Sequence, residues 1–301
     1  MRVIITMLAC STSALLAGEV SLYPSAEGEM GLYASASFLY PSTDADFKKG
    51  MESAKQRGFT FLDYHIHIRG GMTPEKAGLR QEASGIRSGI LENFGREWPL
   101  SNNVALATFI DNASRVRADG KPLAVGIQVN DRDWHQQIDP ALLKRLDYVL
   151  ADTMIMGLTA EGKPRRLWLP GVMIDDPDAW MVEYMKHNLR ILSEPISILA
   201  NPTYLPPCIS NRYDRLWTDV RMKQVIAKAV ENGVALEIQA GSAYPHERFL
   251  KLAKEMGAKF SFGSNNFDDK TKALTRWFES VESLGLHVSD LPVPRRPSVY
   301  E

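Results

Sequence analysis

The chain has 301 residues, enough to bury a sizeable core in one α/β barrel or in two smaller domains. Hydrophobic residues make up 45% and charged residues 24%, the balance of a folded globular protein, and with a formal net charge of −1 nothing suggests a non-specific nucleic-acid partner. Two cysteines, Cys10 and Cys208, allow no disulfide framework.

The chain opens with "MRVIITMLACSTSALLAGEV", a basic residue, a short apolar run and then small residues. That is the order of a secretory signal over residues 1–17 and predicts export to a periplasmic or extracellular space; the alternative is a cytoplasmic protein whose first segment is buried. Residues 18–44 are small, polar and aromatic, with "LYPS" at 22–25 and again at 39–42, and read as a linker or wrapped arm. The Pro-rich stretch 291–301 reads as a solvated tail. No apolar run of about 20 residues is present elsewhere, so no spanning helix is expected.

From 45 to 290 the chain alternates. Strand-like runs fall at 59–64 (FTFLDY), 87–92 (RSGILE), 123–129 (LAVGIQV), 147–152 (DYVLAD), 196–201 (ISILAN), 234–239 (VALEIQ) and 259–264 (KFSFGS). Helical segments lie between them. "TPEKAGLRQEASG" opens with a Thr73 cap and a proline. "DPDAWMVEYMKHNLRILSE" is strongly periodic, and "DVRMKQVIAKAVENG" and "PHERFLKLAKEMG" each stop at a glycine. This alternation predicts a parallel sheet covered on both faces, and seven units predict a closed, distorted seven-stranded βα barrel, similar to a TIM barrel. An open doubly wound sheet is the runner-up. The stretch 153–176 has no clear helix and reads as a functional or lid-like loop.

In such barrels the chemistry sits at the C-terminal strand ends. There the sequence supplies His65 and His67, Glu92, Gln128, Asp152, Asn201, Glu237, and Asn265 with Asn266. Residues two apart on a strand point the same way, so His65 and His67 can aim inward together, with Tyr64 and Ile66 against the helices. Paired imidazoles suit zinc, manganese or iron, although a lone His-x-His is also satisfied by hydrogen bonds. Arg69, two residues past His67, is placed to clamp an anionic group. The four tryptophans at 98, 134, 168 and 217 read as loop packing rather than sugar-stacking platforms.

The stretches "YHIHIRGG", "ILEN", "GIQVND", "LDYVLADTM", "SILANP", "ALEIQ" and "KFSFGSNNF" together resemble the PHP (polymerase and histidinol phosphatase) family, in that family's order, over residues 59–267. The resemblance implies a distorted seven-stranded barrel, bound divalent metal and phosphoester hydrolysis. The family pattern has Asp at Met72, Asp-His at Glu92–Asn93, Glu at Gln128 and His at Met154. It has His at Asn201, Asp at Asn265 and His at Phe267. His65 and His67 match and Glu92 is a close chemical exchange, so the resemblance implies one ion at most, on those histidines with Glu92 or Asp152 as a further ligand or as catalytic base.

Three functions follow as expectations. The first is a PHP-type metal-dependent hydrolase of a small phosphoester or related molecule. The second is a lyase or isomerase of an oxidised sugar that uses one ion for proton abstraction next to a carbonyl, because the amides of Gln128, Asn201, Asn265 and Asn266 suit a hydroxyl-rich ligand; Arg69 and Glu237 are the further substrate-binding candidates. The third is a sugar-binding protein with a vestigial site.

Overall fold

Seven parallel strands close into one ring. In the computed structural model, which describes residues 21–24, 30–33, 44–266, 274–291, 294, 296 and 297, the strands are β1 (Leu62–His67), β2 (Arg87–Leu91, resuming at Asn93–Phe94), β3 (Ala124–Val129), β4 (Tyr148–Asp152), β5 (Ile198–Ala200), β6 (Ala235–Gln239) and β7 (Phe260–Gly263). Each pairs with its neighbours in chain order, and β7 returns to β1, so the barrel is closed. The closing ladder is the thinnest. It has one register pair, Phe262 with Asp63, and an isolated bridge from Ile66 to Asn266.

Helix α1 (Asp44–Gln56) precedes the barrel. Helices α2 (Pro74–Ser84), α3 (Asn103–Ala118), α4 (Pro177–Leu192), α5 (Asp219–Asn232), α6 (Glu247–Glu255) and α7 (Thr275–Ser283) follow strands β1, β2, β4, β5, β6 and β7. Two four-residue helices, Trp134–Gln137 and Pro140–Leu143, connect β3 to β4. The local signals act as the sequence suggests. Asp176 accepts from the N–H groups of Asp178 and Ala179 at the start of α4, and Gly233 ends α5 at φ 64°. Helix α3 was not singled out from its periodicity; it starts on Asn102, whose side chain accepts from Val104 and Ala105 N–H.

Two apolar layers hold the ring. The outer one joins strand residues such as Ile66, Ile90, Ile127, Val149, Leu199 and Ile238 to the helices. The inner one fills the bottom of the barrel with Tyr64, Leu91, Tyr148, Leu150, Ile198 and Ala235. Tyr148 fits there because β3 carries Gly126, where a Cβ would stand 2.5 Å from the Tyr148 ring. Tyr64 is expected against the helices but lies in this inner layer, edge-on to Tyr148 at 5.2 Å. The cause is a register shift in the β1–β2 ladder between Asp63 and Ile66, which breaks strict alternation. β1 also runs three residues beyond the apolar run that announces it, which carries both histidines into the strand.

The stretch 153–176 is not structureless. It folds into an antiparallel hairpin, Ile155–Leu158 with Pro164–Arg166. In the expected arm, Ser21–Pro24 pairs antiparallel with Met30–Tyr33. The expected secretory segment 1–17 and residues Asp268 and Asp269 lie outside the described residues, as does most of the tail. Among the described residues no helix is long and apolar enough to cross a membrane.

Candidate functional site

The C-terminal rim of the barrel carries a continuous layer of polar side chains above the inner apolar layer. His65, His67, Glu92, Gln128, Asp152, Asn201 and Glu237 are all buried, and strands β1 to β6 supply them. Burial of this many polar groups is tolerated because each is held by another.

His65 is the hub. Its Nδ1 lies 2.6 Å from Glu237 Oε1 and its Nε2 lies 3.1 Å from Gln128 Oε1. Gln128 Nε2 in turn donates to Asp152 Oδ2 at 3.3 Å, so the oxygen of the amide is the atom turned to His65. Both ring nitrogens therefore face acceptors, an arrangement that the doubly protonated ring satisfies best. Burial opposes that charge, but the charge and hydrogen bond of Glu237, with the charges of Asp152 and Asp63, outweigh it and hold the group above the ordinary histidine range. Glu237 is fixed from behind, where Oε2 accepts from Asn201 N–H at 3.0 Å. The pair meets only because β7 has Gly263 alongside, where a Cβ would stand 1.9 Å from Glu237 Oε1.

Asp152 is the second centre. Oδ1 accepts from Met154 N–H at 2.8 Å, and Oδ2 accepts from Gln128 Nε2 and Asn201 Nδ2, each at 3.3 Å. Burial pushes its carboxyl up to about 6, against the lowering effect of the Met154 hydrogen bond and the His65 charge. The residue keeps 6% of its surface accessible, more than His65 at 1%. The chain of amides continues on both sides: Gln239 Nε2 donates to Asn201 Oδ1 at 3.0 Å, and Asn130 Nδ2 donates to Asn93 Oδ1 at 3.0 Å.

The third group is His67, Arg69 and Glu92. Arg69 Nη2 donates to His67 Nδ1 at 3.0 Å and lies 3.4 Å from Glu92 Oε1. Burial, with the charges of Arg69 and His65, holds His67 well below the ordinary range and neutral, although a hydrogen bond with the Asn265 side chain favours its charged form. Burial raises the Glu92 carboxyl in spite of Arg69 and the Asn93 N–H. Glu92 Oε2 is buried and has no hydrogen-bond partner among the described residues. Asn265 thus reaches the site with its side chain, while Asn266 acts through its carbonyl, which accepts from His67 N–H at 3.2 Å. Asn201 and Asn265 both have positive φ, 48° and 51°, a conformation asparagine tolerates better than most residues.

A divalent ion needs lone pairs that converge. In this arrangement His65 uses both nitrogens as donors, and the Nδ1 lone pair of His67 is taken by Arg69. Among the described residues no three imidazole, thiol or carboxylate groups converge as a metal site would require. In this arrangement the described side chains are paired with one another, and an acid–base pair stands among amide donors and acceptors.

Two features of the site were not read from the sequence. Asp63 is fully buried beneath it, where Oδ1 accepts from His65 N–H at 3.1 Å and Ser264 N–H at 2.9 Å, and Oδ2 accepts from Arg80 Nη1 at 2.8 Å. A lone carboxylate inside an apolar run was its signal. The other is Gly263, whose role rests on a contact 26 residues away in sequence and left no local trace. The tryptophans at 134 and 217 are fully buried and the one at 98 nearly so, as packing residues. No family model matches this chain, and no curated protein matches it either.

Proposed function

We propose that the barrel mouth is the active centre of an enzyme that moves a proton next to a carbonyl on a small hydroxyl-rich substrate with an anionic group, as a lyase or isomerase of an oxidised sugar does. The observation that carries this reading is Asp152: a buried carboxyl titrating near 6, held by three donors, with a remnant of accessible surface at the centre of an amide ring. A base tuned close to neutral pH combines the ionised form with useful proton affinity.

Asp152 takes the proton from the carbon beside the carbonyl. Negative charge then develops on the carbonyl oxygen, and the amide N–H groups of Gln128 and Asn201, which donate to Asp152, turn to that oxygen when Asp152 takes up the proton. His65 and Glu237 act from behind. The imidazolium fixes the Gln128 amide with its N–H₂ outward, so it is a positioning group rather than one that touches substrate. Arg69, with 29% of its side chain exposed, takes the anionic group. In an isomerase the proton returns to the former carbonyl carbon while the hydroxyl proton passes from the neighbouring oxygen to the former carbonyl oxygen; in a lyase the enolate re-forms the carbonyl and expels the β-substituent, which takes a proton from Asp152 or solvent. The test is loss of the α-proton signal by NMR in D₂O over a panel of uronic and keto sugars. Exchange is expected with the wild-type protein and not with Asp152→Asn. No exchange on any of them would defeat the reading.

A second reading, a one-ion hydrolase of PHP type, is favoured by two observations. Glu237 sits behind His65 Nδ1 as a carboxylate does behind a metal-bound imidazole, and Glu92 Oε2 has no partner among the described residues. It requires Gln128 to turn away from His65. Zinc or manganese would then raise the melting temperature of the wild type and not of His65→Ala, because an ion that binds only the folded state stabilises it. Turnover of p-nitrophenyl phosphate dependent on that ion, without sugar proton exchange, would establish this reading over the first.

A further inference from the structure

The hairpin after β4 and the loop after β2 enclose a cavity of about 460 Å³ that the acid–base chemistry does not use. That is the size of a pocket for a small organic ligand. Its wall carries Lys163, Arg165 and Arg166 against one carboxylate, Glu97. Its apolar part includes Leu158 and Met173, which are 66% and 67% exposed. The cations are arranged rather than loose. Arg166 lies over the Trp98 ring at 5.0 Å, and Arg165 Nη2 donates to Met173 O at 3.0 Å. Holding long cationic side chains in place before binding reduces the entropy lost on binding.

The hairpin that lines this groove follows directly on β4, the strand that ends in Asp152. The hairpin base is tied to the strand by Leu167 N–H donating to Met154 O at 2.9 Å, and Met154 N–H is the donor to Asp152 Oδ1. Trp98 N–H donates to Gly95 O in the turn that leaves β2. We propose that this groove binds an amphiphilic anion, a phosphate or carboxylate on an apolar body.

The probe is octyl phosphate, titrated into the full chain at low salt with calorimetry and tryptophan emission as readouts. Octanoate in its place separates a carboxylate from a phosphate as the preferred head, and either one binding fits the proposal. The double variant Lys163→Ala/Arg165→Ala, and separately Leu158→Asp, are expected to weaken binding about tenfold or more, since they remove or oppose the charge contacts. These side chains line a surface groove, so the variants should fold, and an unchanged melting temperature checks that. Unchanged affinity in both would overturn the proposal. So would inorganic phosphate or octyl glucoside binding as tightly as octyl phosphate, since the groove would then read only charge or only apolar surface. Loss of binding in Arg69→Ala with retention in the double variant would put the anion in the mouth and overturn it too. Asp152→Asn is expected to leave octyl phosphate binding unchanged, so a failed proton-exchange assay and a failed groove are separate results.

Discussion

At the scale of single residues, the site is governed by where protons sit. Asp152 holds its proton more tightly in the folded protein, near 6, than in the unfolded chain, near 3.8. The folded state therefore binds more protons across that window, and the contribution of Asp152 to stability falls as pH rises from about 4 to about 6, then stays at the lower level. Asp152→Asn should remove this decline, on the order of 3 kcal/mol at one pK unit per 1.4 kcal/mol, while abolishing activity. Urea unfolding at a series of pH values from 4 to 8 measures it, and equal slopes in variant and wild type would contradict the assignment. His65 adds a second decline at higher pH. Its folded pKa is raised, so its contribution is complete below the ordinary histidine value near 6.5 and is lost as pH climbs through the folded value. Glu237→Gln removes the main cause of that shift and should flatten the upper part of the profile alone. Asn201 separates backbone from side chain. Asn201→Gly keeps the positive φ and loses only the amide, whereas Asn201→Ala adds about 1 kcal/mol of strain. The glycine variant should lose activity with the smaller loss in melting temperature.

At the scale of elements, much of the architecture was legible in the sequence. β2 to β7 fall within a residue or two of their apolar runs, and α2, α4, α5 and α6 lie where helical segments are expected, with a glycine after α2, α5 and α6 and an Asp176 cap opening α4. Those signals are local, so one chain carries them. β1 is the instructive miss. Its side chains alternate irregularly across the register shift at Asp63 to Ile66, and no run of apolar residues marks strand continuing through Tyr64-His65-Ile66-His67. The residue types at the rim were legible because every strand ends in a polar group. Their hydrogen-bond partners were not, since the spacing of two histidines in a strand does not say that their nitrogens meet Glu237, Gln128 and Arg69. The spacing of β6 and β7 makes the point quantitatively. Gly263→Ala would bring a methyl group to 1.9 Å from Glu237 Oε1 and 2.8 Å from His65 Cβ. Glu237 is pinned by two hydrogen bonds and cannot simply swing aside, so overpacking should cost about 1–3 kcal/mol. The midpoint of urea unfolding reports that cost, and a midpoint within error of wild type would mean the strands are less tightly opposed than described.

At the scale of the whole molecule, a closed barrel is as strong as its seam. Ladders such as β3–β4 and β6–β7 have four register pairs each, whereas β7 meets β1 through Phe262–Asp63 and the Ile66–Asn266 bridge. Asp63 compensates for what the backbone does not supply. Its carboxylate joins β1 to the start of the next loop through Ser264 N–H and Oγ, at 2.9 and 2.5 Å, and to α2 through Arg80, with both ends of that ion pair buried. Asp63→Asn keeps the shape and removes the charge. It leaves the Arg80 guanidinium buried without its counter-ion and so should lose about 3–5 kcal/mol, where an exposed pair would lose less than about 1. The loss should also have a direction. Hydrogen exchange in the variant is expected to rise first in β1 and β7, on either side of the seam, while β3, β4 and β5 keep their protection, because local opening follows the weakest contiguous contacts. His65 N–H also donates to Asp63, so the same opening should release the imidazolium from Glu237 and lower its pKa in the variant. A uniform rise in exchange around the ring, or a His65 titration identical to wild type, would mean that closure does not depend on this carboxylate and that the seam is held by side-chain packing of the outer layer instead.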